Sequence, residues 1–86
     1  MKLKNGYVLR NVAGDYVALP KGGDIDLNTV ITMNETGAFL WERLQDDTTE
    51  DLLVAALLAE YDVNEDTARK SVQAFVAKLV NNGLLD

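Results

Sequence analysis

The first third of the chain alternates apolar and polar positions in short runs, a pattern that predicts β-strands. The segments YVLRNV (residues 7–12) and DYVALP (residues 15–20) flank the pair Ala13-Gly14. Such a pair between two strand-like runs is typical of a tight β-hairpin. Pro20 should end the second strand, because proline has no N–H to donate to a ladder.

A third strand is predicted from Ile25 to Met33, after the turn-forming segment KGGD (residues 21–24). Its apolar residues fall at alternate positions, as in a strand with one buried face. They are Ile25, Leu27, Ile31 and Met33. The chain becomes helical directly afterwards, so we expect this strand to pair with one neighbour and to leave its other edge open.

The first predicted helix runs from Asn34 to about Gln45. Asn34 is a favourable N-cap residue, and Glu35 follows it at the positive end of the helix. One stripe of this helix is apolar and consists of Gly37, Leu40, Trp41 and Leu44. Phe39 points roughly the opposite way, so we expect the helix to be packed on two sides.

Two further helices follow. Thr48 and Asp51 have the spacing of a capping box at the start of the second. The third is predicted to begin at Asn64 and to end at Gly83. The predicted buried residues of the second helix are Leu53, Val54, Leu57, Leu58 and Tyr61. Those of the third are Ala68, Val72, Phe75 and Leu79, extended to one side by Val76 and Val80.

This order of elements predicts an α+β fold: a three-stranded antiparallel N-terminal sheet followed by three helices. The second and third helices, joined by a short connection, would form a helix-turn-helix pair beside the sheet, which makes the arrangement winged helix-turn-helix-like. At 86 residues, we expect residues 1–86 to form a single domain.

The composition excludes several classes of site. The chain has no cysteine and no histidine, so it lacks the usual zinc ligands, a thiolate nucleophile and an imidazole base. Its acidic residues fall in loops and first helical turns, where capping explains them. We therefore predict no catalytic residues, no metal site, no cofactor and no enzymatic activity. No segment resembles a signal peptide or a membrane span, which predicts a cytoplasmic protein.

The formal net charge of −6 is unevenly distributed. Residues 1–23 and 67–85 are net basic, whereas residues 24–66 are strongly acidic. A winged helix often binds DNA through the start of its recognition helix. Here that start carries Glu65 and Asp66, which phosphate groups would repel, so DNA binding is a disfavoured alternative.

Several segments together resemble the PqqD-like family, named for pyrroloquinoline-quinone biosynthesis protein D. The clearest is NETG (residues 34–37) before the aromatic residues Phe39 and Trp41. The acidic turn with its two threonines, EYDV (residues 60–63) and NGLL (residues 82–85) follow in order. No single segment is specific, but their order and spacing cover nearly the whole chain.

The resemblance implies an adaptor that binds the leader segment of a ribosomally made precursor peptide. The leader would add as a strand beside the third strand, in a groove against the third helix, and the adaptor would present it to a radical S-adenosylmethionine maturase or a leader protease. The implied peptide-binding residues are Leu27, Asn28, Thr29, Val30, Ile31 and Thr32 on the strand, and Arg69, Val72, Gln73 and Val76 on the helix.

Three points stay open at the level of sequence. Arg69 suits an acidic peptide, but it equally suits an acidic neighbour within the domain. The same open edge could join two copies of the chain in a homodimer. The product pathway is not determined either, since a quinone cofactor, a lasso peptide and a thioether-bridged peptide all fit the resemblance.

Overall fold

The computed structural model describes residues 1–21 and 30–85. The predicted α+β fold is confirmed: an antiparallel sheet precedes three helices. The strands are β1 (Tyr7–Val12), β2 (Asp15–Pro20) and β3 (Ile31–Met33). The helices are α1 (Glu35–Arg43), α2 (Glu50–Glu60) and α3 (Glu65–Asn81).

The sheet has the strand order β1-β2-β3. In the predicted hairpin, Tyr7 pairs with Pro20 and Val12 with Asp15. Ala13 and Gly14 both have positive φ angles, 53° and 88°, as a type I′ turn requires. The sequence-based bounds of both strands are therefore confirmed, including the end of β2 at Pro20.

β3 is the described end of the predicted third strand. Ile31 and Met33 are buried and Thr32 is exposed, so the expected alternation holds over these residues. Met33 pairs with Tyr16 and Ile31 with Ala18. Val30 directly precedes the strand and is half-buried, while the predicted positions 22–29, with Leu27, Asn28 and Thr29, lie outside the described residues.

α1 begins where the sequence predicts. The Gly37 N–H donates to the Asn34 Oδ1 at 2.8 Å, which satisfies one of the free donors of the first turn. The predicted apolar stripe is buried. Phe39 leaves the helix on another side and meets Tyr61 edge-to-face, with ring centroids 5.6 Å apart. The helix is thus packed on two sides, as expected.

The predicted cap of α2 is wrong by one residue. Thr49, not Thr48, is the N-cap, and its Oγ1 accepts from the Leu52 N–H at 3.2 Å. Thr48 instead donates its backbone N–H to the Met1 carbonyl at 2.9 Å. Because this contact with the start of the chain holds Thr48 outside the helix, the helix begins one residue later.

α3 begins at the predicted cap, since the Thr67 N–H donates to the Asn64 Oδ1 at 2.8 Å. Its regular part ends at Asn81, and Gly83 follows the helix with a φ of 70°, a conformation that favours glycine. The four residues predicted to be buried are buried. Val80, however, is 58% exposed, and Leu58 on α2 is 40% exposed, so these two predicted extensions of the core are wrong.

One apolar core lies between the sheet and the helices. Leu40, Leu44, Leu53, Leu57, Leu79 and Leu84 contribute its largest fully buried side chains, with Val72. The start and the end of the described chain meet beside it, where Leu3 and Leu85 form an isolated antiparallel bridge. None of the helices in the described part of the chain is long and apolar enough to cross a membrane.

Candidate functional site

The described sheet ends at β3. β2 lies between β1 and β3, so within residues 1–21 and 30–85 a strand is paired with β3 on one side only. The unpaired edge of a strand presents backbone N–H and C=O groups that another extended chain can bind. The edge that the sequence predicts to be open therefore has no strand beside it in the described structure.

A groove of about 350 Å³ runs beside this edge, between the start of α1 and the middle of α3. We call it the β3–α3 groove. Met33, Leu40 and Phe75 give it an apolar floor, and Thr36 and Ser71 contribute hydroxyl groups. Its lining residues are Met33, Asn34, Thr36, Gly37, Leu40, Ser71, Ala74, Phe75 and Lys78.

Gly37 allows α1 to approach the other walls of the groove closely. A Cβ atom at this position would lie 2.9 Å from the Met33 Cβ and 3.1 Å from the Phe75 Cε1. The first of these distances is shorter than carbon atoms tolerate without movement. The absence of a side chain at Gly37 is therefore what lets β3, α1 and α3 meet at the floor of the groove.

Lys78 connects α3 to the edge of the sheet. Its Nζ donates a hydrogen bond to the Thr32 carbonyl oxygen, across 46 residues of sequence. Lys78 also lines a second depression of about 380 Å³, together with Asp15, Thr32, Met33 and Asn34. Because the two depressions share three lining residues, they form a continuous concave surface along the described end of β3.

Arg69 lies against α2 rather than in the groove. Its guanidinium contacts Glu50 at 2.7 Å, Asp51 at 3.1 Å and Glu65 at 3.5 Å. The hydrogen bonds to Glu50 and Asp51 are the main reason that the pKa of Arg69 is raised above its ordinary value. The sequence leaves two roles open for Arg69, a contact with an acidic peptide or a pair with an acidic neighbour in the domain. The described contacts are those of the second role.

The other three helix residues predicted to bind peptide also lie away from the groove lining. Val72 is fully buried in the core, Gln73 is exposed, and Val76 is half-buried against the core. At about 100° per residue, Arg69, Gln73 and Val76 fall on one flank of the buried stripe of α3. Their contacts with a peptide stay a prediction.

The flank of α3 that borders the groove carries Ser71, Ala74 and Lys78. These three residues are not among the peptide-binding residues predicted from the sequence. They recur at helical spacing beside the buried Phe75, so they form a stripe of two small residues and one cation. Such a stripe is the sequence signal that could have indicated a groove on this side of α3. Which side of the buried stripe faces the sheet depends on how α3 crosses it, and local periodicity does not contain that information.

The described residues include no cluster of three or more His, Cys, Asp or Glu side chains that could hold a metal ion. No buried side-chain nitrogen or oxygen among them lacks a hydrogen-bond partner. An open strand edge beside an apolar groove is the arrangement that recognises an extended peptide: backbone bonds form at the edge, and side chains enter the groove.

Comparison with known families identifies the group to which this architecture belongs. The model of the family described as coenzyme PQQ synthesis protein D (PqqD) matches residues 7–85. The chain belongs to the PqqD family. The resemblance found in the sequence is thereby confirmed, and the match extends over all three strands and all three helices.

Two solved structures share the fold of this PqqD-family chain. One is TbiB1 in complex with the TbiA(beta) leader peptide, with a TM-score of 0.76 and 24% identity over 100% of this chain and 95% of that one. The other is lasso peptide synthetase B1 complexed with the leader peptide, with a TM-score of 0.70 and 24% identity over 96% of this chain and 93% of that one. A comparison with curated proteins found no match.

Proposed function

We propose that this PqqD-family chain is a non-catalytic adaptor for the leader segment of a ribosomally made precursor peptide. The leader binds as an added strand along the open edge of β3 and places alternate side chains in the β3–α3 groove. The observation that carries this proposal is the position of the groove directly beside the unpaired edge. Affinity comes from the backbone bonds, and sequence preference comes from the groove.

The proposed site combines two sets of residues. On the strand side it keeps Val30, Ile31 and Thr32, together with the predicted contacts Leu27, Asn28 and Thr29, which precede them along the chain. On the helix side it contains Ser71, Ala74, Phe75 and Lys78, which face the edge across the groove. Thr32 is exposed between two buried neighbours, and its carbonyl oxygen accepts a hydrogen bond from Lys78 rather than from a described strand.

The comparisons support a peptide as the ligand. Both similar structures hold a leader peptide, and the chain covers nearly their full length. The absence of histidine and cysteine from the sequence supports a role in binding rather than in catalysis. An adaptor of this kind acts in the cytoplasm beside a modifying enzyme, for which a radical S-adenosylmethionine maturase or a leader protease is the candidate.

The described structure disfavours DNA as the ligand. Glu65 and Asp66 are exposed at the start of α3, the end of a recognition helix that would enter the groove of DNA. Their carboxylates are paired with Arg69 and Lys70, which reduces the cationic surface available to phosphate groups.

Titration of ¹⁵N-labelled protein with a synthetic leader tests the proposal. Candidate leaders come from short reading frames that flank the gene for this chain, and a scrambled peptide of the same composition is the control. We expect the amide signals of residues 30–33 and 71–78 to shift together with the leader only. Shifts confined to α2, or equal shifts with the scrambled peptide, would contradict the proposed site.

A matched pair of variants tests whether the groove is used. Ala74 is exposed and lines the groove, whereas Ala77 is exposed on the same helix outside the lining. A74W fills the groove with an indole, so we expect leader affinity to fall by about tenfold or more, the loss of roughly one buried anchor. A77W adds the same side chain elsewhere and should leave affinity unchanged. Equal affinities of the two variants would place the peptide outside the groove.

A further inference from the structure

Lys78 holds a backbone acceptor at the edge that the proposed function requires. Its ammonium donates to the Thr32 carbonyl, and both residues are exposed. Among residues 1–21 and 30–85, no carboxylate oxygen lies within 4.0 Å of the Lys78 Nζ. The partner of Lys78 is therefore a neutral oxygen, and the ammonium has no ion-pair partner among the described residues.

A peptide strand along this edge would point a backbone N–H at the Thr32 carbonyl oxygen, to which the Lys78 ammonium already donates. The oxygen has two lone pairs and can accept from both donors, but sharing it weakens the bond to Lys78 and leaves the ammonium freer to move. Because lysine is flexible and its ammonium is strongly hydrated, this group can turn towards solvent or towards a new acceptor. Lys78 already lines both the β3–α3 groove and the adjoining depression, so its ammonium can reach a ligand in either of them.

In the part of the chain that the structure describes, no acidic side chain lines the groove beside Lys78. Among the described residues that line the groove, Lys78 is the only charged one, and Asp15 lines the adjoining depression. A carboxylate on the peptide would therefore give the Lys78 ammonium an ionised acceptor in place of a neutral carbonyl oxygen, and so form an ion pair with it. A lysine or arginine on the peptide would be repelled at the same place.

The floor of the groove selects a second feature of the peptide. Met33, Leu40 and Phe75 form an apolar surface that suits an aliphatic or aromatic side chain. Side chains on one face of a strand recur at every second residue. A peptide strand along β3 can thus place an apolar side chain on the floor and a carboxylate near Lys78 when the two are two positions apart.

We infer that Lys78 is a specificity-determining residue of the proposed leader site. It selects a peptide in which an Asp or Glu lies two positions from an apolar anchor. This inference rests on the proposed function and adds to it the charge of the peptide and the residue that recognises that charge. Without a peptide, Lys78 donates to the Thr32 carbonyl oxygen. With a peptide on the edge, its ammonium pairs with the carboxylate of the peptide.

Selection from a display library of short random peptides tests the inference without a known ligand. The library is selected separately on the wild type, K78E and K78M. We expect an Asp or Glu two positions from an apolar residue with the wild type, a Lys or Arg at that position with K78E, and no charge preference with K78M. K70E is the control, because Lys70 is an exposed lysine of α3 outside the groove lining.

A direct affinity measurement follows for a peptide selected on the wild type. Exchange of its acidic residue for the corresponding amide should weaken binding to the wild type by up to about fivefold, the range of a solvent-exposed ion pair. The same exchange should not change binding to K78M. A peptide preference that is identical on the wild type and on K78E would overturn the role of Lys78.

Amide chemical shifts of ¹⁵N-labelled protein, measured with the selected peptides, distinguish a failure of the role of Lys78 from a failure of the proposed function. Selected peptides that shift residues 30–33 without a preference for acids overturn the inference and leave the adaptor in place. Selected peptides that do not shift those residues, or a library in which no sequence is enriched, overturn both.

Discussion

At the scale of single residues, Gly37 determines the shape of the groove. It follows the N-cap Asn34 by three positions and lies next to Met33 of β3 and Phe75 of α3. A glycine inside a helix ordinarily costs about 1 kcal/mol relative to alanine. At this position, close approach of three elements outweighs helix propensity.

The variant G37A tests this balance. The new Cβ would lie 2.9 Å from the Met33 Cβ, an atom attached directly to the β3 backbone. We expect a net destabilisation of about 1 kcal/mol, because the cost of overpacking exceeds the gain in helix propensity. Urea unfolding measures the difference. A variant as stable as the wild type would show that β3 or Phe75 moves aside at little cost.

Tyr61 is a second residue whose surroundings can be tested, because they change the pKa of its phenol. It packs edge-to-face on Phe39, which itself carries the Arg43 guanidinium 4.8 Å above its ring centre. Desolvation by this packing raises the pKa of Tyr61 above its model-compound value of 10.0, and the charges of Glu35 and Glu60 raise it further.

The raised pKa of Tyr61 predicts a loss of stability at high pH. The folded state favours the neutral phenol, so its contribution is complete below the unfolded pKa of about 10 and is lost as the pH rises through the folded value. Tyrosinate absorbance during an alkaline titration, compared with Y61F, isolates the group. Ionisation of Tyr61 at or below pH 10 would contradict the assigned environment.

At the scale of elements, the start of α2 is set by two adjacent threonines with different partners. Thr49 caps the helix, whereas Thr48 bonds to the Met1 carbonyl through its backbone N–H. We expect T49A to cost about 1 kcal/mol, the usual value of a lost N-cap. T48A keeps the backbone bond and should cost less. Thermal unfolding of the two variants compares them, and a larger loss for T48A would contradict the assigned cap.

The contact between α2 and α3 gives Arg69 a role inside the domain. Its guanidinium pairs with two acidic residues of the first turn of α2. We therefore expect R69M to lower thermal stability slightly while leaving leader affinity unchanged. Methionine keeps the apolar part of the side chain, so the variant removes mainly the charge. A clear loss of affinity would instead support the predicted peptide contact of Arg69.

The parts of these elements that depend on neighbouring residues could be predicted from the sequence. Asn34 and Asn64 cap their helices through a side chain that reaches three residues along the same chain. The hairpin depends on a two-residue turn. The buried stripe of α3 follows from the helical repeat alone.

The parts that depend on distant contacts could not be predicted in the same way. The cap of α2 is displaced by the start of the chain, 47 residues away. The flank of α3 that lines the groove is set by its crossing of the sheet, and Lys78 meets Thr32 across 46 residues. Because Val76 and Val80 are apolar, the peptide site was predicted on their flank of α3, opposite the flank that lines the groove. Val80 on that flank is exposed.

At the scale of the whole molecule, the edge of β3 that has no strand beside it among the described residues is a single surface that two partners could bind. A leader peptide and the β3 edge of a second copy would bond to the same backbone groups. If the chain self-associates through this edge, we expect a saturating leader peptide to convert dimers to monomers. Light scattering with and without the peptide measures this change. Dimers that persist with peptide bound would place self-association on another surface.

The meeting of the two ends of the described chain has a consequence for linked proteins. The Lys4 N–H donates to the Leu84 carbonyl at 2.8 Å, beside the bridge between Leu3 and Leu85. A polypeptide fused at either end would thus emerge from the same corner of the domain. A partner enzyme fused at either end should therefore lie at a similar distance from the proposed leader site, so the order of the two proteins in a fusion gene can change while the domain stays the same.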